Sequence, residues 1–274
     1  MSSPGGFLVL GAAVLAVGCS PRLFRPGAEP GSGPRRFRDP ATGMEFVFVA
    51  GGTFAMGDKA WAGEPDERPV RQVRVCGFYL GVHEVTQAQW LRLMGHNPAQ
   101  FQAPDHPVES VSWNDVQQFL VRLGRASGRT YRLPTEAEWE FAAREGGGTL
   151  AWAGTSVEAE LPAYAWFGEP FPGSGHHPVG QKRPNALGLH DMSGNVREWT
   201  ASPYASYAQP LPEGPLPEGL PERVYRGGAW DDPAARVRTG FRGFDSPGNQ
   251  DVATGFRVAL GPEPTRAGDC GGHP

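Results

Sequence analysis

Cysteine is scarce in this 274-residue sequence, which contains only Cys19, Cys76 and Cys270. Three widely spaced cysteines are too few for the framework of a disulfide-rich domain or for a zinc site. An excess of one charge is also lacking, because the formal net charge is only −4. This balance gives no reason to expect nucleic acid as a partner. The length fits one large domain or two small ones.

Long hydrophobic runs are absent as well. The apolar run at the N-terminus, residues 7–18, has twelve residues and is too short to cross a bilayer as a helix. It ends in small residues before Cys19, as a secretory signal does before its cleavage site. A buried strand or helix is the alternative, but the position at the terminus favours export. Residues 15–19, LAVGC, are similar to a bacterial lipobox, which implies lipid attachment at Cys19.

The segments next to the termini have compositions that do not support a core. Residues 20–38 hold five arginines against one glutamate, with Pro and Gly throughout, and we interpret them as a tether. Its arginines would lie near anionic headgroups if Cys19 carries lipid, or simply be solvated. Residues 262–274 are expected to form a disordered tail in which Cys270 is a free thiol. The segments are therefore 1–19 for export, 20–38 as tether, 39–261 as the domain and 262–274 as the tail.

What the sequence has in quantity is glycine, proline and large aromatic side chains. The 39 Gly and 28 Pro indicate many turns and loops, while the 8 Trp and 15 Phe indicate a core. Three capping signals predict helices: Thr86 with Gln89, Ser112, and Thr135 with Glu138. Gly128 is expected to end the second helix. Alternating residues 44–49 and the run 71–80 predict two strands, and Cys76 in the latter is expected to be a small structural residue.

Several stretches carry a family resemblance: GGTFAMG at 51–57, HEVTQAQW at 83–90, HPVESVSWNDV at 106–116, YRLPTEAEWEFAAR at 131–144, NALGLHDMSGNVREW at 185–199, RGGAW at 226–230 and GFRV at 255–258. Together they resemble the formylglycine-generating enzyme (sulfatase-modifying factor) family. The resemblance implies an α+β domain with a C-type-lectin-like fold of the sulfatase-modifying-factor type, irregular and rich in loops. Three helices are expected in its first half and a long, irregular second half.

The resemblance also implies where the family's chemistry would lie. Formylglycine-generating enzymes use two cysteines after RGGSW, at the second and seventh positions beyond the Trp, and these hold copper. Here the two positions are Asp232 and Val237, and Ala229 replaces the Ser. Two thiolates suit Cu(I), whereas aspartate and valine do not, so neither copper nor formylglycine-generating activity is expected.

The loop after RGGAW still contains polar candidates for a cleft. These are Trp230, Asp231, Asp232, Arg236, Arg238 and Arg242. They are expected either to form a fixed ion-pair network that braces the loops, which we favour, or to act in catalysis.

Relatives hold structural calcium in loops such as 185–199, and Asn185 is the matching candidate ligand. At most one such ion is expected, because a second site would need an Asn where Trp166 follows Tyr164 and Ala165. His176 and His177 are adjacent and have no third ligand nearby in sequence, which disfavours a metal site there.

Two hypotheses about function follow. The first is a non-catalytic binding or scaffolding module of the cell envelope. It would bind a peptide, protein or small-molecule ligand and reach the membrane through a lipid anchor at Cys19. The second is an oxidoreductase or a protein- or peptide-modifying enzyme with a cysteine-independent site on the same fold. Fold alone does not decide between them.

Overall fold

The computed structural model describes Met1 and residues 35–58, 63–169, 175–208 and 222–261. The chain divides into two compact units, Met1–Gly33 and Pro34–Pro274, and apart from Met1 every described residue belongs to the second unit. The predicted export segment, most of the predicted tether, the predicted tail, Cys19 and Cys270 lie outside the described residues. Among those that are described, no helix is both long and apolar enough to cross a bilayer.

A five-stranded sheet joins the first and last parts of this unit. Its strand order is β1-β2-β5-β11-β6, and every neighbouring pair is antiparallel. The C-terminal strand β11 lies between β5 and β6, so the end of the chain is fixed inside the sheet that its beginning forms. The bounds are β1 Arg36–Arg38, β2 Glu45–Val49, β5 Phe78–Gly81, β6 Tyr131–Arg132 and β11 Ala259–Leu260.

Two further sheets carry the remaining strands. A β3-β4 hairpin pairs antiparallel, and a four-stranded sheet has the order β10-β7-β8-β9, with β10 parallel to β7. The bounds are β3 Gly52–Met56, β4 Arg71–Val75, β7 Arg197–Pro203, β8 Arg223–Arg226, β9 Arg242–Asp245 and β10 Thr254–Gly255.

The three predicted helices are confirmed together with their caps. In α1, Gln87–Met94, α2, Trp113–Ser127, and α3, Glu136–Ala143, the hydroxyl of Thr86, Ser112 or Thr135 accepts a hydrogen bond from the backbone N–H three residues later. The residue at that later position reaches back to the N-cap amide, which completes each capping box. Gly128 ends α2 in the left-handed conformation, as predicted. Short 3₁₀ helices form at Pro65–Glu67 and Glu158–Ala163.

Large aromatic side chains fill the core, as their number predicted. Trp139, on α3, is fully buried among residues of β2–β5. Trp90 stacks on Phe119 at 5.2 Å and so joins α1 to α2 in a second cluster that also contains Trp199. The first half holds the helices and the second half is irregular, which confirms the expected α+β, loop-rich architecture.

Two predictions about the N-terminal half need correction. The domain begins before Asp39, because Arg36–Arg38 pairs with β2 and Phe37 stacks on Phe46 at 4.8 Å. The predicted tether therefore extended three residues too far. Phe37 packs on the domain even though an arginine lies on each side of it.

The run 71–80 is two strands and not one. It breaks at Cys76 and Gly77, where the chain passes from the β3-β4 hairpin to the five-stranded sheet. Periodicity within a run does not show which sheet each part joins. Cys76 is disulfide-bonded and so is not a free thiol.

Candidate functional site

The RGGAW loop is held by close backbone contacts on both sides. Gly227 and Gly228 follow β8 with φ of +92° and +66°. A Cβ on Gly228 would lie 2.6 Å from the carbonyl oxygen of Arg236, and one on Gly227 would lie 3.2 Å from the ring of Trp139. Only glycine combines this backbone conformation with these contacts. The two glycines thus fix the position of the next residues, 229–232.

Trp230 lies at the centre of the site and is fully buried. Its amide donates to the carbonyl of Asn195, and its carbonyl accepts from the amide of Glu169, each at 2.9 Å. Its ring meets Phe101 edge to face at 6.0 Å. Trp230 therefore contacts three loops. A cluster of aspartates follows it in the chain, and a pair of histidines lies on the far side of Phe101.

The first cluster is organised by Arg197 at the start of β7. Asp232 Oδ2 accepts from Arg197 Nε at 2.9 Å and from the amide of Ala229 at 3.0 Å. Arg197 also lies 3.2 Å from Asp251 and 3.5 Å from Asp231. Burial alone would lower the pKa of Arg197, but these carboxylates, Asp232 foremost, raise it. Burial raises the pKa of Asp231. One cation thus faces three carboxylates beside Trp230.

The two cysteine positions of the family are occupied by structural residues. Asp232 accepts two hydrogen bonds within the loop, and Val237 is fully buried in an apolar cluster with Trp152, Leu161 and Ala165. Neither side chain is a soft ligand, and Val237 has no ligand atom. The residues present therefore do not fit the family's two-thiolate copper centre.

The other arginines of the loop belong to a separate buried ion-pair network. Arg238 makes a bidentate pair with Glu67 at 2.7 and 2.9 Å, and Arg242 does the same with Glu136 at 2.8 and 2.9 Å. Arg226 joins Glu136 to Glu140 in the interior. Arg236 differs, because its side chain is 60% exposed and lies 3.5 Å from Asp232. The structure thus brings Trp230, Asp231, Asp232 and Arg236 together and places Arg238 and Arg242 against other elements.

The histidine pair was missed by sequence reasoning. His106 Nδ1 lies 2.9 Å from Nδ1 of His176, and Nε2 of His176 lies 3.5 Å from Glu109 Oε1. Phe101 contacts the rings of both His176 and Trp230. His177 stacks on Trp166 at 3.6 Å and pairs with Glu169 at 2.7 Å. Adjacent histidines were the only local signal, since His106 is 70 residues away in sequence.

Glu109 determines how the protons in this pair are arranged. Its carboxylate accepts from the amides of Gln100 and Phe101 and from the hydroxyl of Ser110 at 2.5 to 3.0 Å. His176 Nε2 faces this carboxylate at 3.5 Å without a hydrogen bond, and a proton on that nitrogen would point toward it. Nδ1 of a neutral His176 then accepts, and His106 must donate from its own Nδ1. The half-exposed His106 is left with Nε2 unprotonated. Burial, and next the neighbouring His176, lower the pKa of His106.

Asn185 has a structural role in this conformation. Its Oδ1 accepts from the amides of Leu187 and Leu189, and its Nδ2 donates to the carbonyl of Ala142 at 2.9 Å. Both lone pairs of Oδ1 are thus in use, and calcium at this atom would require the loop to rearrange. Within the described ranges, no group of three or more His, Cys, Asp or Glu side chains is placed to hold a metal ion. The calcium site stays a prediction.

Two buried carboxylates near this loop are the other unexpected feature. Glu84 is fully buried, and neither of its carboxylate oxygens has a hydrogen-bond partner among the described residues. Burial raises the pKa of Glu84 well above its usual value, and nearby Asp191 and Glu198 raise it further. Burial also raises the pKa of Asp191.

Comparison with known proteins agrees with this geometry. A family model described as the sulfatase-modifying factor enzyme 1-like domain matches residues 34–261. The chain is 29% identical to the chaperone protein LppX of Paenibacillus barcinonensis over 74% of this chain and 85% of LppX. It is 30% identical to the serine/threonine-protein kinase Pkn1 of Chlamydia trachomatis over 78% of this chain, but spans only 38% of that kinase. It is 35% identical to the inactive C-alpha-formylglycine-generating enzyme 2 of Bos taurus over 80% of this chain and 88% of that protein.

Solved structures show the same fold. The Treponema denticola variable protein 1 superposes with a TM-score of 0.74 and 28% identity, covering 85% of this chain and 100% of that one. PvdO from Pseudomonas aeruginosa superposes with a TM-score of 0.71 and 28% identity, covering 84% and 99%.

Proposed function

This chain belongs to the sulfatase-modifying factor family, and we propose that it serves as an exported binding or scaffolding module of the bacterial cell envelope, without formylglycine-generating activity. The proposal rests on one observation: the residues at both cysteine positions of the family have structural roles. Asp232 is fixed by Arg197 and the amide of Ala229, and Val237 is packed in an apolar cluster. The chain keeps the family's fold and the buried Trp230, but it lacks the two thiolates at these positions.

The aspartate cluster supports a binding role. Asp231 is partly exposed and Arg236 largely so, and both lie beside the buried Trp230. A charged ligand could replace the weak contact between Arg236 and Asp232 and pair with the guanidinium, which binds carboxylates in bidentate fashion. The ligand class we propose is a peptide, a protein segment or a small molecule that carries an acidic group.

Export is supported by the disulfide of Cys76 together with the signal-like N-terminus. Disulfides persist in oxidising compartments outside the cytosol. The relative LppX is a chaperone by name, which agrees with a binding role for this fold.

The test is incubation of the chain with a sulfatase-motif peptide, copper and oxygen, followed by mass spectrometry for the aldehyde. The bovine formylglycine-generating enzyme is the positive control. We expect no conversion by a protein whose circular dichroism shows it to be folded. Conversion that persists when Cys76 and Cys270 are replaced by serine would show that the site performs the family's reaction in another way.

A second candidate is favoured by the histidine pair. The order Glu109, His176, His106 leaves an unprotonated imidazole nitrogen on a half-exposed residue, as a general base requires. In a cysteine-independent modifying enzyme, an oxidoreductase included, His106 would accept a proton from a peptide or peptide-like substrate. Glu109 and His176 would be positioning residues.

Diethylpyrocarbonate labelling followed by peptide mass spectrometry tests this arrangement. Glu109→Gln should slow the labelling of His106 several-fold, because the proton order in the pair is lost. Glu169→Gln is the matched control. It removes the carboxylate that pairs with His177 and should leave the labelling rate of His106 unchanged. Equal labelling of His106 in both variants would exclude the relay.

A further inference from the structure

The outer face of α1 and α2 combines arginines with exposed aliphatic side chains. We call the arginine face the surface formed by Leu91, Arg92, Val121, Arg122 and Arg125. Leu91 and Val121 are 47% and 54% exposed, and they are among the few exposed large hydrophobic residues in the described part of the chain. Arg122 donates to the carbonyls of Leu93 and Met94 and so bridges the two helices. The face is therefore one continuous surface.

Its charge is opposite to that of the whole chain. The formal net charge is −4, yet α1 and α2 contain a single acidic residue, Asp115. The carboxylate of Asp115 lies at the first turn of α2, where it accepts hydrogen bonds from the amide of Ser112 and from the side chain of Gln250. Arginine in a last helical turn also stabilises the helix dipole, which accounts for Arg92 and Arg125 in part. The dipole does not account for Leu91 and Val121 remaining in solvent between the arginines.

The face continues to the start of the described domain. Arg129, just after α2, lies over the ring of Phe37 in β1 at 5.0 Å. Fifteen residues lie between Cys19 and Arg35, where the described chain resumes. Even fully extended, such a segment spans at most about 55 Å. A lipid at Cys19 would therefore keep this domain within about one protein diameter of the membrane.

From this combination we infer that the arginine face docks on the anionic headgroups of the membrane to which the chain is tethered. The inference rests on the proposed lipid anchor. Arginines beside exposed aliphatic residues are typical of elements that lie in a membrane interface. A polyanion without an apolar layer, such as nucleic acid, would use the arginines and leave Leu91 and Val121 without a role.

The energetics suit a tethered contact. An anionic leaflet attracts basic residues near its surface, so the exposed Arg92 and Arg125, with Arg122 beside them, would add to one another on this face. A short tether supplies a local concentration in the millimolar range, which is enough to keep such a face docked.

Hydroxyl-radical footprinting of the full chain on vesicles tests the proposal without any mutation at the readout residues. Phosphatidylglycerol vesicles should slow the oxidation of Leu91 and Val121 several-fold relative to phosphatidylcholine vesicles. Val157, which is 53% exposed and belongs to another part of the chain, is the internal control and should not change. Salt at 1 M, where the Debye length is about 3 Å, should restore the oxidation of both residues.

Charge reversal gives the matched variants. Arg92→Glu with Arg125→Glu should abolish the protection, whereas Arg74→Glu with Arg183→Glu, two exposed arginines elsewhere, should retain it. Equal oxidation of Leu91 and Val121 on both vesicle types overturns the proposal, as does equal loss of protection in both double variants. Protection of both residues by short duplex DNA, and not by vesicles, would assign the face to nucleic acid. The lipid anchor itself is read separately, from the mass of the Cys19 peptide.

Discussion

At the scale of single residues, the molecule places several polar groups where a core residue would normally lie. Glu84 and His176 are buried; no sequence pattern marks Glu84 as unusual, and the only signal at His176 is the adjacent His177. Their neighbours Asp191 and His106 are distant in the chain. Capping residues such as Thr86 were predictable because their partners lie three residues away, whereas these pairs depend on how loops meet.

Replacing Glu84 by Gln should stabilise the protein at neutral pH. Burial, then Asp191, raises the pKa of Glu84, so the folded state binds a proton more readily than the unfolded state does. Stability therefore falls as pH rises from the ordinary carboxyl pKa through the folded value, and above that value the full penalty is present. Removing the charge should raise the free energy of unfolding by about 1–3 kcal/mol at pH 8.

Urea unfolding of both proteins at pH 8 and pH 5 measures this effect. The stability gap between the Gln variant and the wild type should narrow at pH 5, where the carboxyl is protonated more fully. A wild type that is the more stable of the two at pH 8 would show that Glu84 is paired in solution.

At the scale of elements, local rules predicted the helices and failed for the strands. Capping boxes and glycine stops defined α1, α2 and α3 because those signals act within one turn. The run 71–80 alternates as one strand but enters two sheets, since pairing depends on distant strands. Paired glycines such as those of RGGAW are a local signal as well, since Gly227 and Gly228 lie where a Cβ would meet Trp139 and Arg236.

Gly228→Ala and Gly95→Ala form a matched pair for the RGGAW loop. Both glycines have positive φ, which costs an alanine about 1–2 kcal/mol. Only at position 228 would the new Cβ also meet a backbone oxygen, at 2.6 Å, whereas nothing lies within 4 Å at Gly95. We expect Gly228→Ala to cost about 1–3 kcal/mol more than Gly95→Ala because of this overpacking. Thermal and urea unfolding would measure the difference, and equal losses would mean that the loop relaxes freely.

At the scale of the whole molecule, the fold was predictable and the position of the site was so only in part. The family motifs lie on elements that fix the core, so their order in the sequence specified the architecture. The residues after RGGAW separated into an aspartate cluster beside Trp230 and an ion-pair network around Arg226, a division that spacing alone does not contain. Family membership thus predicted the fold, while the chemistry of the site depends on which side chains stand at the cysteine positions.

Intact-protein mass spectrometry of the full chain made in a lipoprotein-exporting bacterium tests the account most directly, because the central claim is an exported envelope module. The account predicts loss of residues 1–18, a lipid on Cys19 and a disulfide on Cys76. With Cys19 acylated, Cys270 is the one cysteine left to pair with Cys76, an outcome that would replace the expected free thiol at Cys270. Cys19→Ser should abolish the lipid and detergent partitioning and leave the disulfide intact. A chain that retains residues 1–18 and carries three free thiols would contradict the account.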